Sequence, residues 1–332
     1  MNFEEWTLRL LVILVLPFIG IFLGLAYKGF DRKISAMMQS RIGPPLRQPF
    51  RDVKKLFMKE NIIPDHAVAW VFHGAPLFAL IAPLVALAYL PLGPFEPVME
   101  GYGDLILILY LLAIPAVAMA MGGLASGSPY ATVGAQRELV LMMSYEFPLA
   151  IAAVTIAWKY ESFSLAAISQ TPVWSMVGPM GALGLLLIAL GLFAVLPGEL
   201  SKVPFDQAEA ETELGGGLFV EYSGRNLGVF YLAEAVKMVV VGALLIALLF
   251  PHNISQWYSF GGPELLGVSV LGTVADVLFF LFKLLIIIYA GVSLVRVALA
   301  RFQIDKASYF YWVPMTLLGL LGTVLVVMEG VI

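Results

Sequence analysis

The chain has 332 residues, 61% of them hydrophobic and only 13% charged, with a formal net charge of −4 and a mean hydropathy of +0.92. That much apolar surface cannot be buried in a water-soluble domain, so the composition excludes one and points to an all-α, polytopic membrane protein. The absence of cysteine excludes a disulfide or a thiolate-held iron–sulfur cluster in this chain and leaves any electron carrier to partner subunits.

Runs of about 20 apolar residues are long enough to cross the hydrocarbon core. Eight are predicted, near 6–28, 70–92, 104–125, 137–158, 175–197, 227–250, 270–297 and 307–329, in one membrane domain covering residues 1–332. The first lacks the basic leader and small-residue cleavage site of a secretory signal and is read as a retained helix. Eight spans put both termini on one side of the membrane. Of the 19 Lys and Arg, 15 fall in segments on the other side: nine from Lys28 to Lys59, then Arg137, Lys202, Arg225, Arg296, Arg301 and Lys306. The opposite loops carry Glu96, Glu100, Glu161 and Glu264, so the basic side is expected to be cytoplasmic, with both termini outside a plasma membrane.

Between the first two runs, Arg41-Ile42-Gly43-Pro44-Pro45 forms a corner, because two prolines forbid a continuous helix. Residues 46–60 then interleave Phe50, Val53 and Phe57 with Arg47, Arg51, Lys54 and Lys55, the pattern of a helix lying in the membrane interface. Such a helix either anchors in headgroups or forms the mouth of a lateral chamber that docks a soluble partner. The basic charges read as lipid or protein contacts, not nucleic-acid binding.

Ionisable residues inside apolar runs are costly in lipid and are expected to face the protein interior with a partner. Glu138 is predicted at the cytoplasmic start of the fourth span, where a pair with Arg137 or another base is the plain reading. Glu146 lies about 12 Å deeper at 1.5 Å per residue. Glu234 and Lys237 stand at i, i+3 in the sixth span, and Asp276 and Lys283 at i, i+7 in the seventh. Lys237 and Lys283 are expected near the membrane centre as counter-charges to Glu146 or Glu234, in salt-bridged structural pairs or in a proton relay. His66, His73 and His252 do not form a convergent ligand set and read as interfacial or loop residues, so no bound metal is expected.

The most polar stretch lies in the loop 198–226. Asp206, Glu209, Glu211, Glu213 and Glu221 crowd there, and if the segment after Pro204 is helical, Asp206, Glu209 and Glu213 share one face while Glu211 points away. Crowded carboxylates raise one another's pKa and can pass protons. Equally, a charge run is often a wet surface whose acids pair with arginines.

Val203-Pro204-Phe205-Asp206-Gln207-Ala208-Glu209-Ala210-Glu211-Thr212-Glu213-Leu214, followed by Val220-Glu221-Tyr222-Ser223-Gly224, resembles the long internal loop of the NuoH family. That family supplies the membrane subunit lining the quinone chamber of respiratory complex I, and energy-converting membrane-bound hydrogenases also contain it. Gln39-Ser40-Arg41-Ile42-Gly43-Pro44-Pro45, Gly134-Ala135-Gln136-Arg137-Glu138-Leu139 and Ser144-Tyr145-Glu146-Phe147-Pro148 resemble the same family in the same order. Only Leu46-Arg47 separates Pro45 from Gln48-Pro49, where complex I members carry a longer glycine-containing insert; the compact form is more similar to the hydrogenase and formate-hydrogenlyase branch.

The resemblance implies a non-catalytic anchor and coupling subunit. Its partners would be hydrogenase-like large and small subunits and iron–sulfur proteins, with the clusters and a nickel–iron site held there, together with antiporter-like membrane subunits that move H⁺ or Na⁺ at the expense of ferredoxin oxidation. Ion coupling would run through Glu138, Glu146, Asp206, Glu209, Glu211, Glu213, Glu221, Glu234, Lys237 and Lys283. Docking would use Arg41, Gly43, Pro44, Arg47, Arg51, Arg137, Tyr222 and Arg225. The alternatives are a quinone-chamber subunit of a true complex I, the same subunit in a sulfur-reducing relative, and a stand-alone secondary transporter.

Overall fold

A computed structural model describes residues 3–101, 103–257, 264–265 and 268–331, with side chains over 9–101, 103–257 and 270–329. Its first seven elements in chain order are α1 (Phe3–Met38), α2 (Gln48–Met58), α3 (Ala69–Tyr89), α4 (Asp104–Ala125), α5 (Pro129–Tyr160), the short α6 (Leu165–Gln170) and α7 (Pro179–Glu199). A four-residue turn α8 (Glu211–Leu214) and α9 (Gly224–Leu249) follow. Two longer spans close the chain: α10 (Val270–Ala298) and α11 (Ile304–Glu329), each passing through one π-helical turn, Tyr289–Ser293 and Tyr311–Met315. Among the described residues eight helices are long and apolar enough to cross a membrane, which bears out the all-α, eight-span reading.

Two boundaries differ from the sequence reading. The first helix continues from the predicted end near 28 to Met38. Its polar residues Lys28, Asp31 and Ser35 stand at i, i+3 and i+7 and are 6%, 3% and 4% exposed, so they face the protein interior and the helix does not stop where the hydropathy does. The fourth span begins at Pro129, eight residues before the expected start, because proline at the first helical turn suits the chain's fixed φ and needs no donor. Glu138 therefore lies more than two turns inside α5 and is 2% exposed.

α9 is the axis of the bundle. Every residue from Ala235 to Leu249 is buried, so the helix is apolar all round and is surrounded by protein, not lipid. α1 crosses it at Gly24, where an added Cβ would stand 2.3 Å from the Ala235 carbonyl oxygen; only glycine admits that approach. α2 is amphipathic as expected, with Pro49 buried and Arg51, Lys54 and Lys55 exposed.

The loops collect at two ends. At one end Val68 N–H bonds Ala125 O, Ile62 N–H bonds Ser223 Oγ and Phe302 N–H bonds Pro204 O. At the other, Leu105 N–H bonds Phe163 O and Trp174 Nε1–H bonds Leu249 O. The first end carries α2, the 198–226 loop and most of the basic residues; it is called the basic end below.

Candidate functional site

The loop after α7 is not one helix. A 3-10 turn (Gln207–Glu209) is broken at Ala210, whose φ of −60° and ψ of 100° leave the helical region, before α8 begins. The expected shared face of Asp206, Glu209 and Glu213 does not form. Instead each acid finds its own setting. Asp206 makes a two-pronged pair with Arg301, Nε to Oδ1 at 2.7 Å and Nη2 to Oδ2 at 2.6 Å. Glu213 pairs with Arg137 at 2.6 Å, and Glu211 is exposed. Glu221 is half-buried and does not line the cleft described next.

A polar cleft of about 360 Å³ opens at the basic end. Its walls include Lys28, Asp31 and Arg32 of α1, Ser201, Lys202, Asp206, Glu209 and Glu211 of the loop, Tyr231 and Glu234 of α9, and Arg296 of α10. At its floor Glu234 Oε2 accepts from Lys28 Nζ at 2.8 Å and from Lys202 Nζ at 3.2 Å. Beside them Asp31 accepts from Ser293 Oγ at 2.7 Å, out of the π-helical turn of α10, and from Arg296 Nη1 at 2.9 Å. Burial, then the negative charge of Glu234, push the half-buried Glu209 carboxyl up to about 8, against the pull of Lys202. Burial lowers the Lys202 ammonium, but Glu234 and Glu209 more than offset this and hold it above its ordinary value.

Behind the cleft lies a second set of charges. Glu138 accepts a hydrogen bond from Ser201 Oγ at 3.2 Å. Lys237 Nζ lies 2.8 Å from Glu199 Oε1, with the two side chains 4% and 2% exposed. At that distance they are an ion pair, yet the approach angle is not that of a hydrogen bond, and neither atom has another partner among the described residues. Tyr145 Oη and Glu146 Oε1 are also buried without a partner among the described residues. Unsatisfied polar atoms clustered in a protein interior are the signature of a hydrated site.

Three side chains at one helix end reach three different charges. Glu199 meets Lys237, Ser201 meets Glu138 and Lys202 meets Glu234. Sequence reasoning misses this: Lys28 and Lys202 read there only as surface bases, and Glu199, Ser201 and Asp31 are not singled out. The available signal is the polar run Glu199-Leu200-Ser201-Lys202 immediately after an apolar span, and the helical spacing of Lys28, Asp31 and Ser35.

Other expectations are corrected. Lys237 pairs with Glu199, not with Glu146 or Glu234. Arg137 turns to Glu213 and the Gln207 carbonyl, not to Glu138. Lys283 is far from the buried set: its Nζ bonds the carbonyls of Phe250 at 2.9 Å and His252 at 2.7 Å, past the outer end of α9. Asp276 joins it there, accepting from Ser255 N–H and Oγ. Tyr222 is 5% exposed, stacks on Phe72 at 4.1 Å and donates to the Phe72 carbonyl, so it braces the loop against α3 and offers no docking surface.

Of the remaining docking residues, Arg41, Arg47, Arg51 and Arg225 are exposed, with Arg41 bonded to Gln39. Gly43, beside Pro44, packs the corner onto α1, where a Cβ would meet Ala36 Cβ at 2.9 Å. His66 is exposed, and His73 Nδ1 faces Asn226 Nδ2 at 3.0 Å. Among the described residues no group of His, Asp and Glu is placed to hold a metal ion.

Known proteins share this architecture. The sequence profile of the NADH dehydrogenase family (NADHdh) matches residues 10–327. The chain belongs to this family. It is 34% identical to the NuoH protein of the NADH-quinone oxidoreductase of Syntrophotalea carbinolica, over 97% of this chain and 98% of that one. It is equally 34% identical to hydrogenase-4 component C of Escherichia coli, over 89% of each chain. A solved chain of an archaeal respiratory membrane complex, the membrane-bound sulfane sulfur reductase, superposes with a TM-score of 0.82 at 31% identity, covering 96% of this chain and 99% of that one. The chain is thus a NuoH-like membrane subunit of the complex I-like and hydrogenase-type group. Identity alone does not separate the two branches.

Proposed function

We propose that this chain anchors a peripheral redox arm at its basic end and couples ferredoxin-driven chemistry there to H⁺ or Na⁺ movement through antiporter-like membrane partners. One observation carries the reading: titratable side chains run from an open cleft to the membrane interior, from Glu209 and the Lys28–Glu234–Lys202 group, through Ser201 to Glu138, and on to Lys237 and Glu199. An ion pair that only braced helices would not need an open, charged entrance. The chain's own residues hold and pass protons; nickel–iron and iron–sulfur chemistry belongs to cysteine-bearing partners. The exposed Arg41, Arg47, Arg51 and Arg225 supply the docking face, and the basic end faces the cytoplasm with both termini outside.

The cleft walls bear Lys28, Asp31, Arg32, Lys202, Asp206, Glu209, Glu211, Glu234 and Arg296. Such a lining suits water and ions better than the apolar slot a quinone ring needs, which favours the hydrogenase-type reading over a quinone chamber. A sulfur-reducing assembly is the second reading, favoured by the likeness to the sulfane sulfur reductase chain.

The test is Glu138→Gln in the intact complex reconstituted in vesicles. Redox turnover with reduced ferredoxin persists, while coupled ion uptake falls about a hundredfold, the scale of losing one proton-transfer group. Unchanged ion uptake would overturn the coupling role. Hydrogen evolved by the native assembly supports the first reading and sulfide the second.

A further inference from the structure

α7 ends in a turn that does not require the residue it contains. Lys202 N–H bonds Pro197 O at 2.8 Å and Ser201 N–H bonds Gly198 O at 3.0 Å, the paired bonds of a Schellman ending. That ending needs a left-handed residue, and Ser201 supplies it with φ of +47°. Glycine is the usual occupant, since an L side chain there costs free energy. A strained position kept by a non-glycine residue asks what its side chain does.

The Ser201 hydroxyl reaches Glu138 Oε1 at 3.2 Å. Ser201 is 7% exposed and also lines the cleft that holds Glu209 and Glu234. Among the described residues it is the one that both forms the cleft wall and bonds Glu138. Glu138 in turn lies within electrostatic reach of Lys237 and Glu199. The neighbours in sequence fix the surroundings, Glu199 on Lys237 and Lys202 on Glu234.

We propose that Ser201 is the positioning residue of the coupling path, holding the Glu138 carboxyl at the junction between the open cleft and the buried Lys237–Glu199 pair. This rests on the reading of the chain as a coupling subunit. The role needs a donor on a left-handed residue, so it separates the hydroxyl from the turn. Ser201→Gly relieves the turn and removes the donor; Ser201→Ala removes the donor and keeps the strain. Ser201→Asn tolerates the left-handed region and restores a donor.

Two readouts on the intact complex test this. The infrared carboxylic C=O band of Glu138, identified by its loss in Glu138→Gln, shifts in the Gly and Ala variants and returns towards the native position in Asn. Coupled ion uptake falls about tenfold in Gly and Ala, the scale of one lost hydrogen bond to a chargeable group, and recovers in Asn. The Gly complex is at least as heat-stable as the native one, so its loss of coupling is not a folding defect. A Glu138 band unmoved in Ser201→Gly overturns the proposal, as does native ion uptake in that variant or failure of Asn to rescue. A native complex that moves no ions removes the coupling reading itself, and with it this role, whereas the band test then still reports whether Ser201 positions Glu138.

Discussion

Two places in this bundle set charged side chains against apolar helices, and they end differently. At the basic end, Glu199 meets Lys237, Glu234 meets Lys28 and Lys202, and Ser201 meets Glu138. At the outer end, Lys283 meets the carbonyls of Phe250 and His252, and Asp276 meets the Ser255 amide and hydroxyl. In the first place the partners are themselves titratable or proton-bearing side chains, some lack full hydrogen bonding, and a cleft opens beside them. In the second, Lys283 caps the last carbonyls of α9, where the negative end of the helix dipole favours a cation. A charge inside a span is therefore not in itself a relay; the nature of its partner decides what it does.

The strongest way to break that contrast is at Lys237. Replacing it with Met leaves Glu199 buried without its partner, which costs about 3–5 kcal/mol for an unpaired interior charge. Thermal unfolding of the purified complex should drop sharply, and the double change with Glu199→Gln should recover most of it while ion coupling stays lost. If Lys237→Met alone leaves the melting temperature unchanged, the pair is not a buried ion pair and the contrast fails at its deepest point.

Much of the fold is legible from the residues. Eight apolar runs, the proline corner at 44–45 and the amphipathic segment after it all stand where patterning puts them, because length and hydropathy are set by the bilayer itself. The site is legible only in outline. Glu138, Glu234 and Lys237 stand out as interior charges, since an acid or base in an apolar run is locally visible. Their partners do not, because Glu199 and Lys237 are brought together by packing of α7 on α9 and nothing in spacing records it. Helical periodicity also misreads the acidic loop, where Ala210 breaks the register and separates Asp206, Glu209 and Glu213. Lys283 carries the same local signal as Lys237; only the ends of the helices around it tell them apart.

Lys283→Met sharpens the comparison from the other side. It removes two hydrogen bonds to the end of α9 and costs about 1–3 kcal/mol, less than Lys237→Met because the exposed carbonyls regain water. Ion coupling should remain native once the complex is assembled, as measured by uptake per electron. Loss of coupling without loss of stability would place Lys283 in the transport path after all.

The smallest effect expected is electrostatic and falls at the cleft mouth. Glu209 has an ordinary value of 4.5 and is pushed to about 8 by burial first and Glu234 second. A carboxyl whose folded pKa is raised favours the folded state while it is protonated. Its contribution is whole below the unfolded value near 4.5 and is lost as pH rises through about 8. Melting temperature should therefore decline across that window in the native chain, and the slope should flatten in Glu209→Gln, which cannot ionise. Because Glu209 is half-buried, solvent screens part of the shift and the flattening will be modest. Identical slopes in the two proteins would mean that Glu209 is already ionised in the cleft at neutral pH, so that the entrance holds a fixed negative charge and the exchangeable proton sits deeper, on Glu138.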